Sequence, residues 1–340
     1  MMKITRIEII RVEVPYLERV REYLRQGWQR DRTPVTQTCI YKVYTDEGAV
    51  GYGEGPEDLE DRVQTYIGRN PFEFVLDDRA GPLQIAFYDL MGKFLGLPVY
   101  RLFGPKQRDR VLTAYWSHCY PPEILGQEAK LAWETGFTMH KIKARPFQDP
   151  VTQVAAMVEE VPSDYRIIID ANGTFGLPTD ALRVARKLER YPHVWALEAP
   201  IPQEHIEGYR FLKSKLDYPI AIHSNRPPQM KAIQSGMCDY FVLEYEGAGN
   251  VLKQAAVAEA AEGMQLWVEN GLHSGLSAMF QVHQAAAIPN VLLCITLAFL
   301  MEDDLIVDPL VVQEGHMEVP EKPGLGVDLD EDAVARYRVG

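Results

Sequence analysis

Two lysines stand two residues apart in His140-Lys141-Ile142-Lys143, and single acids close two later apolar runs: Asp170 after Arg166-Ile167-Ile168-Ile169, and Glu198 after Val194-Trp195-Ala196-Leu197. Residues two apart on a strand share a face, so both ammonium groups can enter one cavity. Two close cations lower each other's pKa, which leaves one of them available as a neutral base near physiological pH. The two carboxylates are hard oxygen donors of the kind that hold Mg²⁺.

These residues converge only if the elements carrying them do. From residue 111 onward, β-branched runs end in polar residues and are followed by stretches with the three-four apolar period of a helix. The polar ends fall near His118, Lys143, Asp170, Glu198, His223, Glu244, Glu269 and Cys294, a step of roughly 25 residues that suits one strand, one helix and two short loops. Eight such ends close a TIM-type α/β barrel, whose C-terminal strand ends face a single mouth. A doubly wound open sheet is the alternative, but the chain has no Gly-rich phosphate loop to support it.

Ahead of the repeats, Ile4 to Val14 and Cys39 to Tyr44 alternate as strands, and Gly48, Gly51 and Gly53 are read as turns around a third. Leu83 to Leu95 has helical spacing and is ended by Gly96 and Pro98. Between the first two strands, Glu18 to Thr33 is polar and Arg-rich and reads as a mobile loop suited to act as a lid.

With 340 residues, of which 46% are hydrophobic and 24% charged, the chain can bury a large core. Its net charge of -13 disfavours nucleic acid and anionic membranes as partners. Cys39, Cys119, Cys238 and Cys294 lie too far apart for a zinc knot or a disulfide framework, and reduced thiols fit a cytoplasm. The N-terminal segment alternates polar and apolar residues instead of running apolar as a signal peptide does, and no later segment reaches transmembrane length free of charge. A soluble cytoplasmic protein is expected.

His-Lys-Ile-Lys at 140–143, Ile-Asp-Ala-Asn at 169–172 and Leu-Glu-Ala-Pro at 197–200 resemble, in order and spacing, the KxK, DxN and ExP motifs of the mandelate racemase and muconate-lactonizing subgroup of the enolase superfamily. Gly51-Tyr52-Gly53-Glu54, the helix from Ala86 to Lys93 and the tail from Val319 to Val327 extend the resemblance over nearly the whole chain. It implies a (β/α)7β barrel with an α+β N-terminal capping domain completed by the C-terminal tail. The corresponding boundaries are 1–110 for the cap with its specificity loop, 111–305 for the barrel and 306–340 for the returning segment. It further implies removal of a proton α to a carboxylate, with Mg²⁺ stabilising the enediolate. Lys143 is then the base, Lys141 its neighbour on the substrate carboxylate, Asp170 and Glu198 metal ligands, and Asn172 a substrate contact. A homo-oligomer is implied by the same analogy.

The pattern also departs from the family. A third acidic ligand is usual at the fifth strand end, where this chain has His223-Ser224-Asn225: Ser224 takes the position of that acid, and His223 or Asn225 beside it is a candidate to substitute. A nitrogen donor would favour Mn²⁺ or Zn²⁺ over Mg²⁺. The sixth and seventh strand ends carry Glu244 and Glu269-Asn270, with His273 just beyond, in place of an Asp-His dyad. Glu244 and His273 are therefore candidate acid-base groups, and His118, Glu269 and Asn270 candidate substrate contacts. The expected activity is a lyase, most simply an acid-sugar or hydroxy-acid dehydratase, because a racemase needs a competent base on both faces of the α-carbon. A racemase, epimerase or cycloisomerase is the alternative within the superfamily. A non-catalytic binding relative with an incomplete metal site is the alternative outside it.

Overall fold

The computed structural model describes residues 2–28, 35–56, 58–244, 247–261, 263–271 and 273–340. The chain opens with an antiparallel sheet of β1 (Ile4–Pro15), β2 (Val35–Thr45) and β3 (Val50–Gly55), with α1 (Glu18–Trp28) between the first two strands. The helices α2 (Leu83–Leu95) and α3 (Tyr100–Phe103) follow. Gly51 and Gly53 do not mark turns; they lie inside β3, where a Cβ would come within 2.3 Å of the Ala86 carbonyl and 2.7 Å of the Pro82 carbonyl. Glycine is required there because α2 packs directly onto the strand backbone.

The expected mobile loop is corrected as far as it is described. Glu18–Trp28 forms α1, whose Val20 and Leu24 are fully buried. Leu17, Val20 and Leu24 make a three-four apolar stripe beneath the charged residues. Residues 29–33 of that stretch lie outside the described residues.

Eight parallel strands then close on themselves: β4 (Arg110–Ser117), β5 (Met139–Lys143), β6 (Arg166–Asp170), β7 (Val194–Glu198), β8 (Ile220–His223), β9 (Tyr240–Glu244), β10 (Gln265–Glu269) and β11 (Val291–Ile295), with β11 pairing back to β4. Between them run α4 (Pro122–Glu134), α5 (Pro150–Val158), α6 (Pro178–Leu188), α7 (Ile206–Lys213), α8 (Gln229–Ser235), α9 (Ala248–Ala260) and α10 (Gly275–Ala287). This is the expected (β/α)7β barrel. Its strands are near-continuous apolar runs because helices cover one face and the barrel interior the other.

The tail returns across the barrel to the N-terminal sheet. Strand β12 (His316–Glu318) pairs antiparallel with β4, and α11 (Glu331–Tyr337) packs on β1. Buried Asp89 of α2 accepts from the Tyr52 amide at 2.9 Å, the Leu325 amide at 2.8 Å and Lys93 at 2.6 Å, joining sheet, helix and tail at one carboxylate. Among the described residues no helix is long and apolar enough to cross a membrane.

Candidate active site

Strand register sets the site. Lys143 pairs with Asp170 across β5 and β6, and Asp170 with Glu198 across β6 and β7, so three ionisable groups end adjacent strands at one level. Alternation turns Lys141 and Lys143 into the barrel, while His140 points outward to the Ser117 hydroxyl at 2.9 Å. All four groups, Lys141, Lys143, Asp170 and Glu198, are buried.

Their charges form one network. Lys141 Nζ lies 2.9 Å from Glu198, 2.6 Å from Glu269 and 3.3 Å from Asp170, and Lys143 donates to Asp170. Burial disfavours the Lys141 ammonium, but Glu198, Glu269 and Asp170 outweigh it and raise its pKa well above the ordinary lysine value. The expectation that the two lysines lower each other's pKa is therefore overturned for Lys141, because three carboxylates reach it from β6, β7 and β10. Burial likewise penalises the Asp170 carboxylate, yet Lys143, Lys141 and His223 pull its pKa well below normal. Glu198 is raised, by burial and by the charge of Asp170.

The two candidates at the end of β8 have different partners. His223 Nε2 lies 3.0 Å from Glu198 Oε1, and ligand-capable atoms of Asp170, Glu198 and His223 all fall within 4.8 Å of one another. Ser224 instead gives its hydroxyl to Gln254 of α9. Among the described residues Glu198 Oε2 accepts no hydrogen bond of good geometry, and the Lys141 ammonium lies 2.9 Å from it. Two carboxylates and an imidazole are a donor set that fits a divalent cation.

The remaining candidates divide. Glu269 enters the site as a partner of Lys141, and burial notwithstanding its pKa is lowered by Lys141 and Lys143. Asn270, fully buried, accepts from the Leu297 amide at 3.1 Å, and its side-chain NH₂ has no hydrogen-bond partner among the described residues. Glu244 is exposed and stands 3.6 Å from His223 Nδ1. His273 is buried, and desolvation lowers its pKa to about 4, so it is neutral at physiological pH. His118 is buried beside Trp116 and accepts from the Cys119 amide at 2.7 Å. Cys294, read as the eighth polar end, turns away from the mouth toward the Gln281 carbonyl of α10 at 3.7 Å.

Two residues outside the sequence reading serve the site. Arg145 donates to Asn172 Oδ1 at 2.6 Å, and the Asn172 amide donates to Asp170 Oδ1 at 2.9 Å, so Asn172 orients the acid through its backbone. Lys141, Lys143 and Arg145 continue one two-residue alternation, a signal legible in the sequence. Gln203 clamps the His223 backbone, accepting from its N–H at 2.8 Å and donating to its carbonyl at 3.2 Å; no spacing rule announces it. A cleft of about 730 Å³ opens beside the cluster, with Asn172, Gln203, His223, Ser224, Arg226 and Glu244 among its walls.

Residues 125–333 match the enolase C-terminal domain-like family. A D-xylonate dehydratase of Haloferax volcanii is 28% identical, the alignment covering 88% of this chain and 85% of that one. An N-succinyl-L-Arg/Lys racemase of Bacillus cereus is 25% identical over 99% of this chain and 98% of the relative. The crystal structure of N-succinyl Arg/Lys racemase from that species superposes with a TM-score of 0.83 at 22% identity, covering 99% of this chain and 98% of the other. The L-Ala-D/L-Glu epimerase of Bacillus subtilis, solved with substrate, gives 0.80 at 23% identity over 96% and 98%.

Proposed function

The chain belongs to the enolase C-terminal domain-like family, and from that premise we propose that it is a dehydratase that removes the proton α to the carboxylate of a polyhydroxy acid and expels the β-hydroxyl. In this reading residues 1–110 form the cap, 111–305 carry the site and 306–340 return to the cap. Asp170 and Glu198 would hold a divalent cation. When bound, that cation would offset the charge of the enediolate.

Lys143 is the base: it ends β5 inside the barrel, 6% exposed, beside Asp170. Lys141 supplies a fixed positive charge for the substrate carboxylate. Asn172, itself held by Arg145, keeps Asp170 in place.

The observation that carries dehydration over racemisation lies at the ends of β9 and β10. These strands carry carboxylates instead of a second lysine, with Glu269 bound to Lys141 and Glu244 turned to His223. A carboxylate whose pKa is lowered is a weak base, so Glu269 is a poor second base opposite Lys143. One base suffices for elimination: Lys143 accepts the α-proton, and the resulting ammonium returns it to the departing hydroxyl as water. Arg226 and Glu244 stand among the walls of the cleft beside the cluster, so it can take a polar substrate. A similar relative is a D-xylonate dehydratase, which supports the same class of substrate.

The test is a panel of sugar acids incubated with protein and divalent cation, read by trapping the α-keto acid product. Release of keto acid that is abolished by Lys143→Ala is the expected result. Exchange of the α-hydrogen with D₂O without loss of water would instead identify a racemase or epimerase, and neither exchange nor elimination would remove the catalytic reading.

A further inference from the structure

His223 ends β8 beside two carboxylates, and each of its ring nitrogens has a defined neighbour. Nε2 faces the cluster, 3.0 Å from Glu198 Oε1, while Nδ1 faces outward, 3.6 Å from Glu244 Oε1. Its backbone is fixed at both polar groups by the Gln203 amide. An imidazole that turns one nitrogen to a cation site and the other to a carboxylate has the arrangement by which protein histidines are oriented and made more basic as ligands. Ser224, the other side chain available at this strand end, is occupied by Gln254.

The donor set decides which cation fits. Mg²⁺ takes oxygen donors almost exclusively, whereas imidazole is a good ligand for manganese, iron, cobalt and zinc. We propose that His223 is a ligand through Nε2, that Glu244 is its positioning residue, and that the site selects a transition-metal cation such as Mn²⁺ over Mg²⁺. This rests on the reading that Asp170 and Glu198 hold a cation.

The experiment is calorimetric titration of MnCl₂ and MgCl₂ into the metal-free full-length protein, with pulsed EPR of the Mn²⁺-loaded sample. Expected are Mn²⁺ affinity at least about tenfold above that for Mg²⁺ and nitrogen modulation from a directly bound imidazole. His223→Asp should narrow or invert the preference, and Glu244→Gln should weaken Mn²⁺ by about tenfold. Equal affinity for both cations, or Mn²⁺ bound without nitrogen modulation, overturns the proposal, and both are read on the unmutated protein, so a poorly folding variant does not protect it. Mg²⁺ binding that is lost in Asp170→Asn but untouched in His223→Asp would sink this inference and leave the proposed function standing. Binding of neither cation would end both.

Discussion

Lys143 and Asp170 face each other as register partners on β5 and β6, and the ammonium donates to the carboxylate inside the barrel. On the proposed reading the pair places a base and a cation ligand side by side, so the two substitutions should separate. Lys143→Ala is expected to lower kcat by about a hundred- to ten-thousandfold, the range for loss of a positioned base, while Mn²⁺ still binds. Asp170→Asn is expected to abolish cation binding and turnover together. Steady-state kinetics with parallel calorimetry check this, and retention of full turnover in Lys143→Ala would remove it from the role of base.

Lys141 has no exposed surface and holds Glu198 and Glu269. Replacing it with Met leaves those acids and Asp170 short of a counter-charge in a buried site, a change expected to cost about 3–5 kcal/mol. Adding Glu269→Gln should recover part of the loss, because one unpaired charge goes with it. Urea unfolding of the metal-free single and double variants measures both, and a single variant as stable as the parent would mean that the network does not hold the mouth together.

The barrel was legible because eight buried strands repeat a pattern, each apolar run ending where the chain turns polar. Seven of those ends bring the expected residue to or beside its strand's end, but at the eighth Cys294 faces α10 and the strand continues to Ile295. A single polar-looking residue in an apolar strand does not say which face it takes. Helix α1 was hidden for a different reason: its arginines dominate the composition, while the stripe Leu17, Val20, Leu24 that buries it is only three residues. The electrostatics of Lys141 were not legible at all. Its three acids lie 29, 57 and 128 residues away, and only barrel closure brings them to one ammonium. The choice between His223 and Ser224 likewise depended on the partners waiting in space: Glu198 for one, Gln254 for the other.

Glu54 of β3 reaches the start of α10, accepting from the Ser274 amide at 2.5 Å, its hydroxyl at 2.7 Å and the Ser277 amide at 3.3 Å. Burial outweighs these bonds and pushes its pKa up to about 7, against about 4.3 in an unfolded chain. Between those values the folded state binds the extra proton, so this group's contribution to stability falls as pH rises, by about 1.4 kcal/mol per pH unit, and is level above about 7. Glu54→Gln should remove that slope. Unfolding free energies of both proteins at steps from acid to neutral pH are the check, and parallel curves would show that Glu54 is ionised throughout.

Glu128 of α4 is buried and holds Arg19 of α1 at 2.7 Å and the Tyr115 hydroxyl at 2.8 Å. Helix α1 is also tied to the segment after β11, through the Leu17 amide to the Leu300 carbonyl at 2.9 Å and Arg21 to Glu302 at 2.8 Å. It therefore sits over the C-terminal ends of the first and last barrel strands, on the rim of the mouth. Glu128→Ala removes the buried anchor and should cost about 1.5–3 kcal/mol, the range for hydrogen bonds to a charged group, concentrated in α1 because the barrel strands keep their own ladders. Hydrogen exchange should then accelerate across α1 and stay unchanged in β5 to β7, with a rise in KM larger than any fall in kcat. Equal acceleration in the barrel would mean that Glu128 supports the barrel wall and that the rim helix is held by Val20 and Leu24 instead.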